Sequence, residues 1–210
     1  MTYSEKSLNQ FANDLASKAP VPGGGGAAAL VAALGVALGS MVCNLTFGKK
    51  KYAEHEPKLR EIVAEATRLQ QALMSMIDED AQHFLPLSRA YGMPQSNEAE
   101  KAEKARVLEQ ALKEACSVPM RIVAVCREAI DLHADIVDRG SRLVLSDVGC
   151  GIQLLKAALI CGELNVMVNL GLIQDDVFVV QVRETVHRQV EAGKMMADRV
   201  YSRVESLLVQ

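Results

Sequence analysis

The sequence predicts an all-α fold: one domain over residues 1–210, a bundle of about six or seven helices around a buried Gly/Ala-rich helix. Three observations predict it. Apolar residues recur three and four positions apart along most of the chain, with no alternating strand pattern and no internal repeat. Aromatics are scarce (no Trp, four Tyr, four Phe), so Ala, Leu, Val and Met fill the core, which suits closely spaced helices better than a sheet. At 210 residues, half of them hydrophobic, the chain is long enough to bury one core of ordinary size.

The elements follow in order. Ser4 is placed to cap a first helix of about 14 residues, with Leu8, Phe11, Ala12 and Leu15 on one face. Pro20 and Pro22 end it. A second helix starts near Gly25 or Gly26 and stops near Gly48. A third starts around Pro57, striped by Leu59, Ile62, Val63, Ala66, Leu69, Leu73, Met76 and Ile77, and Pro86 kinks or ends it. Ser96 or Asn97 caps a fourth, to about Cys116. Pro119 opens a fifth, to about Asp138. Ser146 caps a sixth, to about Leu170, and Asp175 begins a long last helix striped by valines.

The stretch 19–48, "APVPGGGGAAALVAALGVALGSMVCNLTFG", carries no charge. It is long enough to span a bilayer. Its interior, however, is mostly Ala and Gly, and Ala28, Ala32, Gly35 and Gly39 recur at helical spacing, so it reads as a helix buried all round. It is no phosphate loop, for no lysine follows the glycines at the required place. Its glycine turn at a helix N-terminus exposes backbone N–H groups that suit an anion or a flat ligand.

Net charge is −3, which excludes the basic footprint of a nucleic-acid binder. Cys43, Cys116, Cys126, Cys150 and Cys161 are scattered and form no Cys-x-x-Cys pair, so they read as small hydrophobes in a reducing compartment. The acidic, amphipathic start "MTYSEKSLNQFANDL" holds no apolar signal region. A cytoplasmic protein is the expectation.

The sharpest chemical clue is in "MIDEDAQHF". Extending the third helix's stripe by threes and fours places Asp80 where a hydrophobe belongs, between Ile77 and Phe84. Burial disfavours a charged carboxylate and prepares it as a general acid or base. A structural Asp, satisfied by a Lys, an Arg or a helix end, fits the same pattern. Asp78 and Glu79 fall off the stripe. Asp80 and His83 share a face, but no further ligand stands at metal spacing. In "CGELNVMVNLG", Asn165 and Asn169 lie four apart on one face of an apolar helix. They serve either interhelical hydrogen bonding or the polar edges of a heterocycle.

Three blocks then carry a resemblance: "PVPGGGGAAALVAALGVALGSMVCNLT" with "KKKY", "IDEDAQHF", and "SDVGCGIQLLKAALICGELNVMVNL". In order and spacing they resemble the formiminotransferase-cyclodeaminase C-terminal domain family, which includes stand-alone cyclodeaminases and methenyltetrahydrofolate cyclohydrolases. The resemblance implies an all-helical, homodimeric folate enzyme, outside the membrane, with a tetrahydrofolate derivative as substrate and no tightly bound cofactor or metal. It implies catalysis by the D-x-D-A block, hence Asp80 with Asp78 as second candidate. It implies a folate edge at Gly23, Gly24, Gly25 and Gly26, with Asp147, Asn165 and Asn169 against the pterin. Lys50 and Lys51 are candidates for the glutamate tail, although lysines after a helix end also complement its dipole. The family commonly has Ser where Gly26 stands. The implied reaction is closure of 5-formiminotetrahydrofolate to the 5,10-methenyl compound with loss of ammonia. The alternatives are the cyclohydrolase, and a non-catalytic folate-binding or assembly module. A formiminotransferase is the implied partner protein.

Overall fold

The computed structural model describes residues 2–209 as a bundle of six α-helices with three short 3-10 turns, and no strand occurs among them. Helix α1 (Leu8–Leu15) starts later than expected, because Ser7 rather than Ser4 accepts the cap bond from Gln10 N at 3.2 Å. The residues before it form a separate turn, Tyr3–Glu5.

Helix α2 (Gly24–Asn44) is the Gly/Ala-rich element. It ends four residues before Gly48. Thr46 turns back, its hydroxyl donating to Val42 O at 2.6 Å and accepting from Ser141 N at 2.8 Å, and Gly48 takes a left-handed φ of 73°.

Helix α3 (Glu56–Tyr91) carries Pro57 in its first turn and runs straight through Pro86. Helix α4 (Glu98–Ile136) replaces the two helices expected on either side of Pro119. Asn97 caps it through a 2.9 Å bond from Glu100 N. Each internal proline removes one helical hydrogen bond. Around Pro119 that loss is outweighed by burial of Val118, Ile122 and Val123.

Helix α5 (Leu145–Leu170) follows a 3-10 turn, Arg142–Val144, and has no side-chain cap, so Ser146 lies inside its first turn. Helix α6 (Asp176–Leu208) is capped as expected, Asp175 accepting from Phe178 N at 3.0 Å.

Helices α2, α3, α4 and α5 close a ring, each packed on the next, and α6 lies against α4 and α5. α2 and α5 run antiparallel. Gly24 meets Asn165, Gly35 meets Leu155 and Gly151, and Thr46 meets Ser141. Glycine sets their separation: a methyl at Gly35 would lie 2.8 Å from Leu155 Cγ. This pair holds the two stretches long and apolar enough to cross a bilayer.

The expectation of burial all round fails on one strip. α2 packs on α3, α4 and α5, and among the described residues its remaining side is open enough to leave Leu34 49% exposed, with Met41 and Leu45 also exposed. Leu164 and Val168 of α5 continue the strip. It is uncharged.

Candidate active site

A cavity of about 210 Å³ opens where α2 begins. The loop Pro20–Gly25 forms one side. Asp80 and Phe84 of α3, Ala115 and Pro119 of α4, and Asn165, Val168 and Asn169 of α5 complete it. Three helices from distant parts of the sequence thus converge on the α2 N-terminus.

Asp80 is the centre of its polarity. Gly26 N donates to Oδ2 at 3.0 Å. Gly26 is the third residue of α2, where a capping side chain would bond, and Gly23 at the cap has no side chain to offer. Asp80 therefore caps α2 from another helix, which is the helix-end arrangement left open above. Among the described residues Asp80 forms no ion pair, and Oδ1 accepts no hydrogen bond. Burial pushes its carboxyl above the ordinary carboxylate range, against the opposing pull of the Gly26 N–H and of His83.

Gly25 makes this seat possible: a methyl there would lie 2.5 Å from the Asp80 carboxyl carbon. Gly24 plays the same part for Asn165, whose amide would stand 3.2 Å from a methyl. At Gly26 nothing lies nearer than 3.5 Å. Gly24 and Gly25, whose N–H groups are first-turn donors without helical partners, line the cavity.

The asparagines face it as acceptors. Asn165 Nδ2 donates to Cys161 O at 2.7 Å and Asn169 Nδ2 to Asn165 O at 3.1 Å, each to its own helix. Their carbonyl oxygens are left for another donor. Pro119 has no N–H for Ala115 O, so a main-chain acceptor also loses its helical donor at this wall. Phe84, Pro20, Val21 and Val168 supply apolar surface. Beside Asp80, Ser117 donates to Glu114 O at 2.7 Å, so its oxygen accepts the 3.2 Å bond from His83 Nδ1–H.

The other predicted residues lie elsewhere. Asp78 is two positions along α3, outside the cavity, and accepts from Tyr3 N at 2.6 Å and from the Ser4 hydroxyl. Lys50 and Lys51 follow the opposite end of α2, about 30 Å away at 1.5 Å per residue. Asp147 is at the first turn of α5, about 27 Å along that helix from Asn165. Within one chain none of these four lines the Asp80 cavity. Antiparallel packing puts both of those helix ends together, far from the glycines. Sequence reasoning missed Ala115, Pro119 and Phe84 as wall residues; Pro119 read as a boundary, and only its apolar surroundings mark it as interior.

Among the described residues no group of three His, Cys, Asp or Glu is placed to hold a metal ion. A larger groove, about 370 Å³, runs between α5 and α6. Val166, Met167, Leu170 and Val186 give it a largely apolar wall, with Glu163, Arg183, Glu184 and His187 also lining it; it holds no buried carboxyl like Asp80, so the chemistry points to the smaller cavity.

The structure defines an all-α bundle with one cavity at a helix N-terminus, bordered by a buried carboxyl and two side-chain amides. The chain belongs to the formiminotransferase-cyclodeaminase family, whose model matches residues 7–188, and with it to the enzymes of folate one-carbon chemistry. It is 41% identical over 202 residues to the methenyltetrahydrofolate cyclohydrolase of Methylorubrum extorquens, covering 96% of this chain and 97% of that one. To the formimidoyltransferase-cyclodeaminase of Rattus norvegicus it is 27% identical, covering 96% of this chain and 37% of the rat protein. The crystal structure of formiminotetrahydrofolate cyclodeaminase from Thermotoga maritima superposes with a TM-score of 0.81 at 29% identity, over 98% of this chain and 96% of that one.

Proposed function

We propose that this chain is a methenyltetrahydrofolate cyclohydrolase, opening the 5,10-methenyl bridge with water to give 10-formyltetrahydrofolate. This reverses the order of preference in the sequence reading. The observation that carries it is the 41% identity to the Methylorubrum cyclohydrolase over nearly the full length of both chains. The cyclodeaminase is the second reading, supported by the Thermotoga neighbour at 29% identity.

In the proposed reaction water attacks the electrophilic bridge carbon while the Asp80 carboxylate takes a water proton. The tetrahedral adduct collapses: the carbon–N5 bond breaks, Asp80 returns its proton to N5, and the remaining hydroxyl loses a proton as the formyl C=O forms. One proton leaves to solvent, which balances the lost cationic charge. A carboxyl raised by burial suits both the taking and the giving. The acceptor oxygens of Asn165 and Asn169 match the N–H edge of a pterin. The cavity of about 210 Å³ falls below the ~300–1,000 Å³ usual for a whole drug-sized ligand, so the ring system is its occupant and the glutamate tail runs outward.

The test follows methenyltetrahydrofolate absorbance with purified protein, starting from the methenyl compound and, separately, from 5-formiminotetrahydrofolate. The cyclohydrolase reading expects fast loss of the chromophore in the first assay and no ammonia in the second. Asp80→Asn should cost on the order of 10²-fold or more in turnover with the fold intact. Chromophore appearance with ammonia would turn the assignment to the cyclodeaminase. Silence in both would favour a non-catalytic module.

The uncharged strip of α2 and α5 supports a homodimer, with a second copy as occupant, because it is self-complementary in chemistry and carries no charge for another partner to read. Leu34→Asp should shift the protein from dimer to monomer in sedimentation. A wild-type protein that sediments as a monomer ends this proposal.

A further inference from the structure

We propose that Asp78 is a positioning residue: through the N-terminal turn Tyr3–Glu5 it holds down the far end of the loop whose near end rests on Asp80. Asp78 accepts from Tyr3 N and from the Ser4 hydroxyl, so two donors of that turn converge on one carboxylate. The Tyr3 hydroxyl then donates to Val21 O at 3.1 Å. Val21 is buried and lines the cavity with Pro20. Five residues on, Gly26 N donates to Asp80 Oδ2 at 3.0 Å.

The segment Val21–Gly26, the loop and the first turn of α2, is thus fastened at both ends to one helix. Asp78 and Asp80 are two residues apart and point about 200° from each other around α3. One carboxylate works directly on the glycines and the other works through Tyr3. At the Asp80 fastening the backbone lies close on α3, where a methyl at Gly26 would lie 3.5 Å from Ile77 O, and Pro22 folds back beside it at 3.7 Å.

Tyr3 is itself held. The Lys6 ammonium lies 4.5 Å from its ring centre, and Lys6 pairs with Asp14 of α1 at 2.6 Å. The turn is therefore a built strap across 75 residues of sequence. Its effect on chemistry is indirect. It sets the height of Val21 and the glycine N–H groups over the ligand, and so bears on binding more than on proton transfer.

The test compares wild type, Tyr3→Phe, Asp78→Asn and the double variant in two measurements. Amide hydrogen exchange reads the strap without any substrate. Losing one hydrogen bond should speed exchange at residues 23–27 by about tenfold, with α4 and α6 unchanged. The kinetic readout, hydrolysis of 5,10-methenyltetrahydrofolate, rests on the function proposed above. There KM should rise by about tenfold, the pH profile of kcat should stay where wild type has it, and the double variant should be no worse than Asp78→Asn alone. Additive effects, or unchanged exchange in both single variants, would overturn the proposal. So would an Asp78→Asn enzyme that loses kcat with a displaced pH limb, because Asp78 would then be catalytic. If wild type hydrolyses no methenyltetrahydrofolate, the function fails and the exchange data alone decide the strap.

Discussion

Helix α2 meets a buried titratable side chain twice, and glycine makes room both times. At its start Gly25 leaves space for the Asp80 carboxylate. Further along, Gly39 of α2 and Gly151 of α5 leave space for the His133 ring, which a methyl at either would approach within 2.7 Å. Burial disfavours charge in both places, pushing Asp80 up and His133 down to about 4. The difference is access. Asp80 borders a cavity with amide acceptors across it. His133 is sealed among Val36, Ala66, Ala129 and Ile136, in a seat with no space for a water molecule. A perturbed pKa thus reports burial, and a site needs in addition a void and groups converging on it.

The comparison breaks most easily at Gly25. A methyl there must displace the Asp80 carboxylate, and misplacement by about an ångström costs on the order of 10²-fold in rate. Gly25→Ala should lose that much in kcat/KM. Gly26→Ser, one residue on, is also buried, but its Cβ meets nothing closer than 3.5 Å, an ordinary contact, so it should stay within about threefold of wild type. It also restores the residue common in the family. An active Gly25→Ala enzyme with unchanged circular dichroism would mean that turnover does not depend on the Asp80 seat.

The two regions were unequally legible in the sequence. Asp80 announced itself because a carboxylate interrupts a stripe of period 3.6. Asn165 and Asn169 showed for the same reason, as polar residues on an apolar helix. His133 gave no such signal, because a histidine at a core position looks like any helix-flank residue until Gly39 and Gly151 are seen against it. Helix starts are legible at the side-chain caps Asn97 and Asp175, while at α1 two serines compete and Ser7, not Ser4, makes the bond. Pro86 and Pro119 misled, because a proline's local cost is fixed while the burial that outweighs it comes from other helices. Lys50, Lys51 and Asp147 were drawn to the site by resemblance alone. Only the antiparallel register of α2 and α5 puts them at the other end.

The His133 seat makes a smaller prediction, in acid. Nδ1–H donates to Ala129 O at 3.0 Å, and Nε2 has no hydrogen-bond partner. The carbonyl of Gly35 is close, but it is an acceptor that only a protonated ring could use. The neutral ring is therefore the folded form. With its folded pKa below the ordinary 6.5, the unfolded chain takes up the proton first as pH falls. The contribution of the neutral ring is fully present above about pH 6.5 and is lost progressively down to about pH 4, where the folded ring also charges. At ~1.4 kcal/mol per pH unit the loss amounts to about 3 kcal/mol. Asp80 has the opposite sign: its raised carboxyl costs stability at neutral pH and recovers it in acid, so Asp80→Asn should steepen the acid decline. Denaturant midpoints from pH 7 to 4, read beside an NMR titration of the His133 ring, check both. A ring that charges above pH 6 in the folded protein would show that the glycine seat admits water, and the contrast with Asp80 would collapse.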